Sequence, residues 1–245
     1  MPHVRLTLER PVARLTLARP PLNVFTIAMM EEALAALRGA DWTGIRACVL
    51  AGEGKAFCAG VDVGEHLGAT CAPMIRMFHS LFRALLDLPC ALVARVHGAC
   101  LGGGAELLLA CDAVVAAEDA TLGFPEIRLG VYPPIACARL GTAVGSIRAR
   151  RLILTGESLT GGEAAAIGLA TRSVPAAALD AAVAAETALF ARHSAAALRE
   201  SRRALLAPDL DEVEQLYLGS LMQTADAEEG LRAFLEKRPA RWSDR

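Results

Sequence analysis

The chain has 245 residues, 54% of them hydrophobic and 21% charged, with 25 Lys and Arg against 27 Asp and Glu for a formal net charge of −2. That length is enough to bury a sizeable core, as one domain with an appendage or as two small ones, and a near-neutral balance without a basic block argues against nucleic acid as the main partner. The longest apolar stretch, residues 90–117, carries Arg95, His97, Glu106 and Asp112, a set that excludes a bilayer-spanning helix.

In chain order, residues 1–10 hold charges at Arg5, Glu9 and Arg10 and lack an apolar run, so no signal peptide is expected. Residues 4–8 and 12–17 alternate apolar and polar positions, as a strand hairpin does. Helical spacing covers 26–37, an apolar strand 48–51 follows, and a glycine-rich loop runs over 52–62. Residues 74–86 read as a helix, 91–96 as a strand, 107–109 as part of a helix and 113–116 as a short strand. Alternating strands and helices imply parallel strands with crossover helices, an α/β core. After Pro134 helices follow one another: Thr160-Gly161-Gly162-Glu163 has the spacing of a capping box, and Asp209 is placed to cap a helix carrying Val213, Leu216 and Leu218.

Seven cysteines, at positions 48, 58, 71, 90, 100, 111 and 137, form an odd set without a Cys-x-x-Cys pair. Their apolar context predicts reduced thiols in a cytoplasmic setting, with neither a disulfide frame nor a zinc site. The five histidines show no ligand spacing, and no metal is expected. Lysine occurs only at Lys55 and Lys237.

Two glutamates, twenty residues apart, carry the chemistry. Glu106 closes Leu101-Gly102-Gly103-Gly104-Ala105-Glu106, and Glu126 closes Gly123-Phe124-Pro125-Glu126. Glycines at a helix start leave N–H groups bare, and those donors with the helix dipole favour an anion. Two carboxylates acting as acid and base beside such donors suit a reaction through an oxyanion, such as the enolate of a thioester. The glycine spacing is not that of a dinucleotide fingerprint. Gly52-Glu53-Gly54-Lys55 is not a phosphate loop either, because Val49 stands at the first glycine position and Ala56 where Ser or Thr would bind magnesium.

Four segments together resemble the crotonase (enoyl-CoA hydratase/isomerase) superfamily over nearly the whole chain. They are Pro21-Leu22-Asn23, the run from Lys55 to Asp62, the stretch from Val96 to Asp112 with its glycines, and Phe124-Pro125-Glu126-Ile127-Arg128-Leu129-Gly130. Leu154-Thr155-Gly156, Ala164 to Leu169 and the terminal run from Ala233 to Arg238 also look like family segments. The resemblance implies an α/β spiral of ββα units, with core and active site in residues 1–190, and a helical C-terminal trimerisation region, 191–245. It also implies an acyl-CoA substrate, a homotrimer or homohexamer, and no cofactor, coenzyme A being part of the substrate.

Carried over residue by residue, the likeness makes the backbone N–H groups of Val61 and Gly103 the oxyanion donors. Glu106 would activate water for attack at Cβ and Glu126 would exchange the proton at Cα. Lys55, Ala56, Phe57, Ala59, Asp62 and Lys237 would bind CoA, with Lys55 and Lys237 as cations near its nucleotide and Phe234 of an adjacent subunit lining the same site. The family's cation before the Leu-Asn pair is replaced by Pro20 and Pro21. The chain also departs after Glu126, where Val131-Tyr132-Pro133-Pro134-Ile135-Ala136-Cys137 replaces a glycine-rich turn. Pro134 has no N–H to give there, and Tyr132, Pro134, Ile135 and Cys137 are expected to shape an acyl pocket suited to a ring. This variant, with the run from Pro21 to Met30, looks most like the cyclic dienoyl-CoA hydratases of anaerobic aromatic-acid breakdown. The expected function is reversible hydration of an enoyl-CoA. An isomerase or decarboxylase on the same scaffold is the enzymatic alternative, and a non-catalytic CoA- or RNA-binding protein the other.

Overall fold

The computed structural model describes residues 2–244. Strands β1 (Val4–Glu9) and β2 (Val12–Leu17) form the expected antiparallel hairpin, Val4 opposite Leu17. Thr26 then caps α1 (Ile27–Gly39), its hydroxyl accepting from the Met29 N–H at 3.3 Å. Next come β3 (Ala47–Gly52), α2 (Cys71–Leu86) and β4 (Ala91–Val96). The chain turns a corner at Gly98 into β5 (Ala99–Leu101), then enters α3 (Gly103–Leu107), β6 (Ala113–Ala117) and β7 (Thr121–Gly123).

The remainder is mostly helical: α4 (Pro134–Val144), α5 (Ser146–Thr155), β8 (Ser158–Thr160), α6 (Gly161–Ala166), β9 (Arg172–Val174), α7 (Leu179–Ala191), α8 (Ala195–Leu206), α9 (Leu210–Gly219) and α10 (Ala225–Leu235). Thr160 and Glu163 form the predicted capping box, and the Asp209 carboxylate accepts from the Glu212 N–H at 3.0 Å.

Two sheets result. The larger has the order β1-β2-β3-β4-β6-β9 and is parallel from β2 onward; the smaller has the order β5-β7-β8. β4 feeds β5 and β6 feeds β7, so each of these two turns of the spiral adds a strand to both sheets before a helix closes it. The second sheet is a correction to the sequence reading, which has no strand at 99–101, 121–123 or 158–160. Three residues are too few to display a period of two.

Gly98 is fixed by the corner. Its φ is +56°, and a Cβ there would stand 2.0 Å from the Lys55 carbonyl oxygen. The β3 and β4 strands are buried nearly throughout, as parallel strands covered on both faces must be.

The C-terminal helices are tied back to this core. Arg202, on α8, donates to the carbonyls of Leu85 and Leu88 and pairs with Asp112 at 2.8 Å. The Asp226 carboxylate accepts from Ser194 Oγ at 2.5 Å and from the Ser243 N–H at 2.7 Å, while Asp244 pairs with Arg46 at 3.0 Å. Among the described residues no helix is long and apolar enough to cross a membrane.

Candidate active site

The loop after β3 is sewn between two neighbours. Lys55 and Ala59 donate their N–H groups to the carbonyls of Pro21 (3.2 Å) and Leu22 (2.9 Å), and Phe57 and Cys58 donate to His97 (2.8 Å) and Ala99 (3.0 Å). Val61 follows, bridged to Phe25, whose carbonyl accepts from the Asp62 N–H at 2.8 Å. Gly102, at φ +52°, turns the chain out of β5 so that Gly103 opens α3. Among the described residues no carbonyl or side chain accepts from the N–H of Val61 or of Gly103. The two residues touch: a Cβ on Gly103 would lie 2.7 Å from Val61 Cγ2 and 3.1 Å from Phe78 Cζ.

Glu106 sits one turn further along α3, 2% exposed. Its Oε1 accepts from the N–H of Ile135 (2.7 Å) and of Ala136 (2.9 Å), the second and third residues of α4. A helix start is a natural seat for a carboxylate. Burial nevertheless raises the Glu106 carboxyl to about 7, helped by the neighbouring Glu126 charge and opposed by the two N–H groups.

Glu126 is carried by the 3-10 turn Pro125–Leu129. One carboxylate oxygen, Oε1, lies 2.8 Å from where a Cβ of Gly102 would stand, which brings the group to the glycine corner. The other, Oε2, is buried without a hydrogen-bond partner among the described residues. Burial raises this carboxyl too, while the charge of His66 opposes the rise.

The structure brings together the four residues Val61, Gly103, Glu106 and Glu126. Pro134 stands at the first position of α4, where an N–H has no acceptor inside the helix, and the next two donors go to Glu106. The break from a glycine-rich turn thus still supplies donors, but to the Glu106 carboxylate. Ile135 packs into the core, so its contribution to the site is that N–H. Cys137 is exposed, and its thiol is pushed up by partial burial and by the charges of Glu106 and Glu126. Tyr132 is 65% exposed and Pro134 half-buried.

Among the residues expected at the CoA site, Lys55 is exposed, Ala59 and Asp62 are half-buried, and Ala56 is fully buried. Phe57 is fully buried too. Its ring belongs to the core, its N–H goes to His97, and its carbonyl accepts from Asn23 at 3.2 Å, so it supports the loop. Phe234 is 82% exposed near the end of α10, which packs against α8 and the turn Leu221–Gln223, and Lys237 lies just beyond it. Within one chain this pair is on the C-terminal region. His66 was passed over in the sequence; its Nδ1 bonds the Asp62 carbonyl at 2.9 Å and its charge reaches Glu126, features without a spacing signature. Two open clefts, about 370 and 420 Å³, include none of the four central residues.

Paired carboxyls beside two free N–H groups can move protons on either side of an anionic oxygen. The model for the family described as enoyl-CoA hydratase/isomerase matches residues 7–245. A cyclohexa-1,5-dienecarbonyl-CoA hydratase of Thauera aromatica is 40% identical over 251 residues, covering 99% of this chain and 97% of its own. A 2,3-dehydroadipyl-CoA hydratase of Escherichia coli is 36% identical, covering 95% and 92%. The crystal structure of an enoyl-CoA hydratase from Bacillus anthracis superposes with a TM-score of 0.90 at 29% identity, covering 99% of this chain and 100% of that one.

Proposed function

This chain belongs to the enoyl-CoA hydratase/isomerase family, and on that premise we propose how its site works and which thioester it takes. It is an enoyl-CoA hydratase, a carbon–oxygen lyase acting on acyl-CoA. The observation that carries the mechanism is the meeting of two raised carboxyls with two N–H groups that no acceptor among the described residues takes. The thioester oxygen takes those donors. As water adds at Cβ, negative charge grows on that oxygen, where preorganised donors are worth most.

The pair works with one proton between the two acids. Two N–H bonds favour the anion at Glu106, which takes a proton from the attacking water. The unpartnered Oε2 suits Glu126 to carry the proton delivered to Cα. Hydroxide has then joined Cβ and a proton Cα, and the proton gained by Glu106 returns through solvent to Glu126. The steps proposed here call on no cofactor, coenzyme A being part of the substrate.

For substrate we propose a cyclic dienoyl-CoA. Support comes from the likeness to the Thauera hydratase and from Pro134, which stiffens the first position of α4 just before the two N–H groups bound to Glu106. Kinetics decide: kcat/KM for a cyclic dienoyl-CoA is expected to exceed that for crotonyl-CoA, since the ratio reports differential transition-state binding. A preference for crotonyl-CoA overturns the ring and leaves hydration intact. Product mass checks the reaction itself, because isomerisation leaves mass unchanged and decarboxylation lowers it.

We further assign the helical region, residues 191–245, to assembly as a homotrimer or homohexamer in the cytoplasm. It exposes Leu205 (81%), Leu210 (77%), Phe234 (82%) and Leu235 (79%), large apolar side chains that a partner subunit would cover. The seven cysteines are free, as a reducing compartment keeps them. Light scattering should give three or six times 25.7 kDa, and a monomer at working concentration would refute the assignment.

A further inference from the structure

We propose that His97 is a positioning residue for the CoA part of the substrate: with Asn23 it holds the loop of residues 52–57 in the shape that presents Lys55. The proposal rests on Lys55 meeting the CoA nucleotide.

The loop is held through its carbonyls. Asn23 is fully buried at φ +52°, a left-handed conformation that asparagine tolerates better than most residues. Its Nδ2 donates to the carbonyls of Glu53 (2.8 Å), Ala56 (2.8 Å) and Phe57 (3.2 Å), while its Oδ1 accepts from the Arg19 N–H at 2.9 Å. One side chain thus ties three points of the loop to the segment before α1. Between Glu53 and Ala56 it passes over the carbonyls of Gly54 and Lys55, and that of Gly54 comes first.

His97 takes that one. It lies at the corner between β4 and β5, and its Nε2 is 3.1 Å from the Gly54 carbonyl oxygen. Its Nδ1 lies 3.1 Å from Arg95 Nη1. A guanidinium has only donors, so Nδ1 must accept and the ring proton must be on Nε2, where it is given to Gly54. Asp180 anchors Arg95 from the far side at 2.5 Å, and the His97 carbonyl accepts from the Phe57 N–H at 2.8 Å. The chain of bonds runs from Asp180 through Arg95 and His97 to Gly54, and its last member precedes Lys55.

Gly54 explains why a clamp is needed. With φ at +77° it has the widest backbone freedom in the loop. Lys55 itself is exposed, so its side chain does nothing to order the turn it sits on. Binding a nucleotide to an unclamped loop would include the entropy of ordering it, which raises KM without touching the reacting atoms.

The test compares two thioesters of the same acyl group, one of CoA and one of pantetheine, which lacks the nucleotide. His97→Leu removes both ring bonds at a half-exposed position. Its KM for the CoA ester should rise about fivefold to tenfold, with kcat within about twofold and the pantetheine ester unaffected. His97→Gln, which keeps an N–H for Gly54, should recover most of the loss. Equal losses on both esters, or none on either, would overturn the proposal. Lys55→Ala separates the two levels of inference. If it fails to distinguish the esters, the nucleotide reading falls and the proposal with it; if it distinguishes them and His97→Leu does not, only the role of His97 falls.

Discussion

Glu106→Gln lowers the hydration rate by about 100-fold or more, the usual scale for losing a positioned proton-transfer group, while CoA-ester binding stays largely in place. Glutamine keeps the shape and can still accept from Ile135 and Ala136, but it cannot take the proton of the attacking water. Glu126→Gln is expected to lose as much for the complementary reason. Single-turnover rates with a substrate the parent uses well check both, and a near-parental rate in either variant removes that residue from the mechanism.

The same substitution at Glu106 has an opposite effect on the fold. The carboxyl rises from 4.5 to about 7 in the folded chain, so between those values the folded state binds more protons than the unfolded one. Stability therefore falls as pH rises through that window, by about 3 kcal/mol at 1.36 kcal/mol per pH unit. Glu106→Gln escapes this loss. It should melt higher than the parent above pH 7 and level with it below about pH 4.5, with melting temperatures across pH as the check. The pair also predicts a bell-shaped kcat/KM profile, because the working form carries one proton. The last proton leaves the pair near pH 7, a step that belongs to the two acids together, and the alkaline limb should lie there.

Gly103→Val is expected to fold and to lose about 100-fold or more in kcat/KM. The reason is sharper than crowding of the thioester. A Cβ at this position meets Val61 at 2.7 Å and Phe78 at 3.1 Å before any substrate arrives. Val61 is β-branched and stiff about χ1, so the contact is relieved by moving the main chain of one donor or the other. Losing one preorganised donor typically costs ~3 kcal/mol of barrier. Gly103→Ala should give a milder loss, and Val61→Ala in that background should recover part of it by removing the methyl in contact. Circular dichroism separates misfolding from misalignment, and full turnover by Gly103→Val would move the oxyanion donor elsewhere.

Much of this site was legible before folding, and the limits fall at particular residues. Glu106 and Glu126 stood out because glycine or proline beside each acid marks a backbone unlike that of an ordinary surface glutamate. The caps at Thr26, Thr160 and Asp209 act over three residues, which a linear reading can see. By contrast, Ile135 and Ala136 reach Glu106 across 29 and 30 residues, and Asn23 reaches Phe57 across 34. No spacing along the chain encodes such bonds. His66 and His97 look alike in sequence, each a lone histidine without ligand spacing, and differ only in what the fold sets against them.

The chain by itself determined the alternation of strand and helix, the helical last third, the paired acids and the glycines that bare an N–H. Those follow from side-chain period and backbone freedom, which act within a few residues. Tertiary structure alone decided that three-residue strands form a second sheet, that the α4 start seats Glu106, that Pro134 begins a helix, and that Phe57 supports the loop. Each of these depends on which segment a turn of the spiral stacks against another. That choice is made by burial of the whole core, where no single residue's preference decides the outcome.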